Sequence, residues 1–293
     1  MRCWAMTPAV WIARSVARLP QRGLLWLAAA LSLLTWPLLA GRRRVAATNL
    51  ALCFPELSAP QRRRLLHANQ RASMMGVLEL LRAWYAPASA LAGLARIEGL
   101  PRLLAALASG QGVLLFTGHF THTELAVRLL SEALGRPVRV VVRRHNSACL
   151  EAGFEQARAR VFGPTLAKKD VRGMLRALQA GEPLVYSADQ NFTYQNVFVP
   201  FFGVSAATLA STPELARRAG AQVLPFWFHR EADGGYCLRI EAAWLGWIEA
   251  GAEQAAATYM RELETVVRQH PEQYLWVHRR FKTRPPGSPA IYR

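Results

Sequence analysis

From about residue 111 onward the chain alternates short apolar runs with stretches of helical periodicity, and this alternation restricts the folds open to it. Gly112-Val-Leu-Leu-Phe116 is too apolar for an exposed strand and predicts a buried one. A helix is expected from about Thr123 to Leu134, a strand over Val138 to Val142, and helices near 148–160 and 170–180. Then follow a strand over Pro183 to Ala188 and a helix over Thr208 to Ala219. Two strands, Val223 to Phe228 and Tyr236 to Ala242, precede a last long helix at roughly 253–269. Strands separated by helices predict an α/β fold with a mostly parallel central sheet, flanked by helices on both faces.

Upstream, residues 45–85 read as helices. Ser58-Ala-Pro-Gln61 has the form of a helix start, with Ser58 as N-cap, Pro60 in the first turn and Gln61 at the capping-box position. A second apolar helix carries Leu78, Leu80, Leu81 and Trp84. Arg62, Arg63, Arg64 and Arg71 give the first helix a basic face, open to solvent or to lipid headgroups.

Gly23 to Ala40 is a run of eighteen residues without a charge. Arg14, Arg18 and Arg22 precede it, Arg42 to Arg44 follow it, and no acidic residue occurs before Glu56. As one helix it would be roughly 27 Å long, just short of a bilayer core of about 30 Å. Trp26 and Trp36 lie near its ends, where interfacial anchors occur. It predicts an N-terminal membrane-anchor helix, spanning or dipping into one leaflet, against the alternatives of a buried core helix or a signal peptide. The expected organisation is a basic-flanked anchor over 1–44 and a main domain over 45–293, with a helical part over 45–110 and an α/β catalytic part over 111–293.

A net charge of +17 favours anionic partners, and 52% hydrophobic residues exclude a disordered chain. The aromatic residues sit within apolar runs instead of alternating with basic ones, which argues against nucleic acid. Cys3, Cys53, Cys149 and Cys237 are widely spaced and form no C-x-x-C pair, so neither a zinc framework nor a disulfide framework is expected. There is no G-x-S-x-G, no P-loop and no G-x-G-x-x-G, so no serine-hydrolase elbow, ATP or dinucleotide cofactor is indicated.

The chemistry-bearing stretch is Thr117-Gly-His-Phe-Thr-His-Thr-Glu124, at the carboxyl end of the first predicted strand. Ligands of open α/β sheets bind beyond such ends. His119 and Glu124 are five positions apart across a strand-to-helix turn, so the carboxylate can reach back and orient the imidazole as a general base. Glu124 closing a capping box, His119 as a structural residue, and a metal held by His119, His122 and Glu124 are the competing readings. Arg143 ends the next strand, and Arg172 begins a helix with a solvated charge as its plain reading. Asp189 follows a strand, as a cleft residue or a turn former. Arg279, Arg280, Lys282 and Arg284 form a basic run suited to phosphate.

Several stretches together carry a resemblance. They are RRRVAATNLALCFPELS (42–58), GHFTHTE (118–124), VVRRHNSACLE (141–151), FGPTLAKKDVRGMLRAL (162–178), YSADQNFTYQNVFVPFFG (186–203), ATLASTPELARRAGAQVLP (207–225) and WVHRRFKTRP (276–285). In these the chain resembles the bacterial lipid A late acyltransferases, a branch of the lysophospholipid acyltransferase-like superfamily. The resemblance implies a bacterial inner-membrane protein with its active site facing the cytoplasm. It implies an acyl-carrier-protein thioester as donor and a phosphorylated glucosamine disaccharide lipid as acceptor. It also implies His119 and Glu124 as catalytic dyad and no metal or organic cofactor. Arg143, Arg172, Asp189, Gln190, Arg279 and Arg280 are then candidates for substrate binding. One departure stands out: Asn191 occupies a position that is often acidic in relatives. A different glycolipid or a lysophospholipid acceptor, a basic non-catalytic membrane or nucleic-acid binder, and a metal hydrolase are the rival functions.

Overall fold

A computed structural model of the protein describes residues 8–292; Cys3 and the start of the expected anchor segment lie outside them. Four helices come first: α1 (Pro8–Ala17), α2 (Gln21–Thr35), α3 (Ala40–Cys53) and α4 (Ala59–Tyr85). They are followed by β1 (Ala95–Glu98), α5 (Leu100–Ala108), β2 (Val113–Thr117) and α6 (Thr123–Leu134). Next come β3 (Arg139–Val142), α7 (Ala148–Phe162), β4 (Leu166–Ala167), α8 (Val171–Gln179) and β5 (Pro183–Ser187). A hairpin of β6 (Asn196–Phe201) and β7 (Val204–Leu209) leads to α9 (Thr212–Ala219), β8 (Gln222–Arg230), β9 (Tyr236–Ile240) and α10 (Ala252–Gln269).

The central sheet has seven strands in the order β1-β9-β8-β2-β5-β3-β4. Strands β8, β2, β5, β3 and β4 run parallel, and β9 turns back antiparallel on β8 with β1 parallel beside it. The expected α/β fold with a mostly parallel sheet is therefore present. Every residue of β2 is buried, as its apolar run requires. Phe116 stacks on Tyr259 of α10 with ring centroids 4.1 Å apart. The Tyr259 hydroxyl donates to Thr117 O at 2.8 Å and accepts from Ala188 N–H at 3.3 Å. It thus ties the carboxyl ends of β2 and β5 together where the chain leaves the sheet.

The hydrophobic N-terminal run does not form one anchor helix. Pro37 has no N–H to continue the α-helical ladder, and the chain turns over residues 36–39. Among the described residues no single helix is long and apolar enough to cross a membrane; α2 and α3 together reach that length and composition but meet at a 102° bend. Leu24 and Ala28 of α2 are buried against Met75 and Leu78 of α4, while Trp26 and Leu38 are 78% and 80% exposed. α3 runs through residue 44, and its Asn49 reaches the far end of the chain, donating to Trp276 O at 2.7 Å and His278 O at 2.8 Å.

Other local expectations were revised by pairing. The two helices foreseen before residue 85 are one 27-residue helix, α4, whose start carries the expected Gln61 contact: Ser58 N–H donates to its Oε1 at 2.7 Å. The segment expected to be helical over 45–110 contributes β1 to the sheet. Thr208, foreseen in a helix, lies in β7, because Phe202 and Gly203 both take positive φ (50° and 71°) and close a two-residue hairpin.

Candidate active site

β2 ends at Thr117, and Gly118 takes the chain out of the sheet close beneath α10. A Cβ at Gly118 would lie 2.5 Å from Leu263 Cδ1, so glycine lets the loop pass without displacing that side chain. His119 follows. Its backbone N–H donates to Asp189 Oδ2 at 2.9 Å, and its ring Nδ1 lies 2.5 Å from Asp189 Oδ1. The Tyr274 hydroxyl donates to Asp189 Oδ2 at 2.7 Å. Asp189 accepts from three groups, which requires an ionised carboxylate and puts the histidine proton on Nδ1. Nε2 is then the basic nitrogen. The His119 side chain is 33% exposed, whereas Asp189 is 1% exposed.

Burial disfavours the charged form of His119, but the Asp189 charge and its hydrogen bond outweigh this and raise the imidazole pKa. For Asp189 burial pushes upward, and the His119 charge, the two His119 hydrogen bonds and Tyr274 overcome it, holding the carboxyl well below its usual range. Burial, then the Asp189 charge, keep the Tyr274 phenol protonated, with its pKa well above normal.

The orienting carboxylate expected from spacing was Glu124. In the structure no hydrogen bond joins it to His119; Asp189, from the loop after β5, takes that position. Glu124 instead accepts from Trp84 Nε1 at 2.5 Å and from Arg158, whose Nη2 and Nε lie 2.7 and 3.1 Å from Oε1. The Arg158 guanidinium also lies over the Trp84 ring, 5.1 Å from its centroid. Glu124 does not close a capping box either, since no side chain caps the start of α6 and the Thr121 hydroxyl accepts from Arg230 at 2.7 Å. His122 is buried, with neither ring nitrogen hydrogen-bonded, and meets the Phe228 ring edge-on at 5.2 Å. Burial, followed by the charge of Arg230, holds its pKa well below normal. His119, His122 and Glu124 thus face different partners and make no ligand set.

Beside His119 lies a basic cavity of about 770 Å³. Arg42, Arg143, Lys168, Arg279 and Lys282 line it, together with Leu38 and Leu39 from the bend after α2. Gln190 and His278 line both this cavity and the small pocket that holds His119 and Asp189. Arg143, Gln190 and Arg279 therefore line one cavity. Arg280 does not line this cavity but lines the small pocket with His119 and Asp189; its buried guanidinium donates to Ala207 O at 2.6 Å and Thr208 Oγ1 at 2.5 Å. Arg172 projects from α8 into solvent and lines neither space. His278 accepts the Asn191 N–H at Nε2 (3.0 Å), and burial first of all pushes its pKa down to about 4. Asn191 uses both halves of its amide, donating from Nδ2 to Thr283 Oγ1 at 2.9 Å and accepting Thr283 N–H at 2.8 Å. The Asn191 carboxamide thus fastens the C-terminal basic run to the Asp189 loop.

Arg158, Tyr274 and Trp84 were not foreseen as parts of the site. Arg158 lies in a helix of ordinary pattern, and Tyr274 is reached only after another 155 residues of chain (274 − 119), so no local spacing marks them.

The family model described as bacterial lipid A biosynthesis acyltransferase matches residues 1–283. The lipid A biosynthesis palmitoleoyltransferase of Escherichia coli K12 is 34% identical over 94% of this chain and 90% of its own length. The lipid A biosynthesis lauroyltransferase of the same organism is 33% identical over 99% of this chain and 94% of its own. A lipid A biosynthesis acyltransferase of Haemophilus influenzae is 33% identical over the same shares. A match over almost the whole length, with a histidine–carboxylate pair at the strand ends, means that the chain belongs to the bacterial lipid A biosynthesis acyltransferase family and is an acyltransferase.

Proposed function

We propose that this acyltransferase moves a fatty acyl chain from an acyl-carrier-protein thioester to a hydroxyl of a phosphorylated, glucosamine-based lipid A precursor. The observation that carries this reading is the one-third-exposed His119 (33%), braced by buried Asp189, beside a cavity lined with five cationic side chains. Nε2 of His119 accepts the proton of the acceptor hydroxyl as its oxygen attacks the thioester carbonyl. Asp189 stabilises the imidazolium, and His119 returns the proton to the departing carrier thiolate. The first N–H groups of α6, unpaired by helix geometry, lie on the same loop and suit the oxyanion. Glu124 stays in the catalytic proposal, acting through Arg158, whose guanidinium it holds in place as a fixed cation. The residues around His119 include no serine or cysteine, which favours direct transfer over an acyl-enzyme.

Arg143 and Arg279 would receive phosphate of the acceptor, with Gln190 between them and the dyad. The exposed Trp11, Trp26, Leu33, Leu34 and Leu38 lie among arginines, a composition suited to the interface of an anionic membrane. Lying there, the α2–α3 bend would set the basic cavity at headgroup level on the cytoplasmic face of a bacterial inner membrane. No metal or organic cofactor enters this scheme.

The test is acyl transfer in detergent, with a series of acyl-carrier thioesters and a tetra-acylated lipid A precursor. Wild type, His119→Ala, Glu124→Ala and Asp189→Asn are compared. Transfer by wild type with losses of roughly 10²-fold or more in the folded variants supports the reading. Thioester hydrolysis through His119 without transfer would keep the chemistry and reject the acceptor. Activity indifferent to all three substitutions would reject the catalytic assignment.

A further inference from the structure

The β8–β9 hairpin carries a set of metal-ligating side chains that the acyl-transfer scheme does not use. His229 and Cys237 face each other directly across this antiparallel ladder. Glu231 follows two residues after His229, on the same face of the strand. The pairing continues past the last strand residue, because Glu231 N–H donates to Gly235 O at 2.9 Å. One ligand atom from each of the three side chains lies within 4.8 Å of the other two. A tetrahedral zinc site with bonds of roughly 2.0–2.3 Å needs its ligand atoms about 3.3–3.8 Å apart, which small side-chain rotations supply.

The surroundings are ready for a cation. Arg96 holds only Oε1 of Glu231, at 2.9 Å, leaving Oε2 for a metal and itself as an outer partner of the carboxylate. Two of the nearby guanidinium groups are paired with carboxylates: Arg96 also pairs with Glu98, and Arg239 with Glu241 at 2.9 Å. His270 stacks on His229 with ring centroids 4.0 Å apart and planes 13° from parallel, which limits the rotation of the ligating ring. His229, Glu231 and His270 also line a cavity of about 860 Å³ under α2, a route by which a hydrated ion reaches the hairpin.

We propose that His229, Glu231 and Cys237 form a binding site for a zinc-type divalent cation, with water in the fourth position. One imidazole, one carboxylate and one thiolate suit zinc and cobalt, and do not suit magnesium or calcium, which prefer all-oxygen shells. Binding releases the Cys237 proton to solvent and forms one bond each from nitrogen, oxygen and sulfur to the ion. The site lies on the opposite face of the hairpin from Tyr236 and Arg230, so it clamps the two strands without entering the His119 pocket.

The test uses the full chain in detergent, stripped with chelator and titrated with Co²⁺. One equivalent should produce a thiolate-to-cobalt charge-transfer band in the near ultraviolet, lost on adding Zn²⁺. Cys237→Ser should abolish the band, His229→Ala and Glu231→Gln should weaken Co²⁺ binding at least tenfold, and Cys149→Ser should leave it unchanged. Absence of the band in the wild-type chain, or its persistence in Cys237→Ser, would overturn the proposal. Should Cys237→Ser fail to fold, the half-exposed Glu231→Gln variant decides: unchanged affinity there also overturns it.

Discussion

Asp189 holds His119 at two points, accepting its backbone N–H at 2.9 Å and lying 2.5 Å from its ring Nδ1. The two residues follow adjacent parallel strands, β2 and β5, whose registered ends bring Thr117 opposite Ser187. Replacing Asp189 with Asn keeps the shape and removes the charge that fixes the tautomer. We expect kcat to fall by about 10²–10⁴-fold with little change in KM, measured by acyl transfer to the glycolipid acceptor.

The same pair sets a pH dependence. His119 acts as a base only when neutral, and Asp189 raises its pKa above the ordinary value of about 6.5. The acid limb of the kcat/KM profile should therefore lie above about pH 6.5, activity rising as His119 loses its proton. In Asp189→Asn the residual activity should show that limb shifted to lower pH, because burial then acts on the imidazole unopposed. An unshifted limb would assign it to another group.

Glu79 is fully buried and is bound by Arg230 Nε at 2.6 Å, Arg230 Nη2 at 2.9 Å and the Tyr236 hydroxyl at 2.6 Å. Glu79→Ala leaves the Arg230 guanidinium charged and unpaired between α4 and β8. A stability loss of about 3–5 kcal/mol is expected in denaturant unfolding. Glu79→Gln, which can still accept one of these bonds, should cost less.

Gly76 lets α4 approach the loop that carries His119. A Cβ there would lie 2.1 Å from Thr121 O, which is backbone and cannot swing aside. Gly76→Ala should cost about 1–3 kcal/mol and lower the transfer rate by displacing the loop, although it touches no substrate.

Trp26 and Leu38 are largely exposed on the arginine-rich N-terminal helices. Trp26→Asp and Leu38→Asp should each weaken sedimentation with vesicles containing anionic phospholipid by tenfold or more, without lowering stability. Binding to neutral vesicles should be weaker from the outset and should fall less. Equal binding to both vesicle types would reject the electrostatic part of the docking.

The sequence by itself determined the layered α/β plan, because strand and helix periods are local. The apolar run ending at Phe116, the helix from Thr123 and the capping residues Ser58 and Gln61 all lie where their patterns place them. It also marked His119 at a strand end, whereas the cavity that Arg143, Gln190 and Arg279 share came from the tertiary structure. Which carboxylate serves His119 was decided only in three dimensions. Glu124 is near in sequence, but Arg158 and Trp84 hold it elsewhere, while Asp189 arrives from a strand 70 residues later (189 − 119). The fate of the hydrophobic run was tertiary as well, since Pro37 breaks it and α4 buries one face of what remains. Sequence distance measures neither effect, because sheet register and helix packing join residues that local periodicity leaves unrelated.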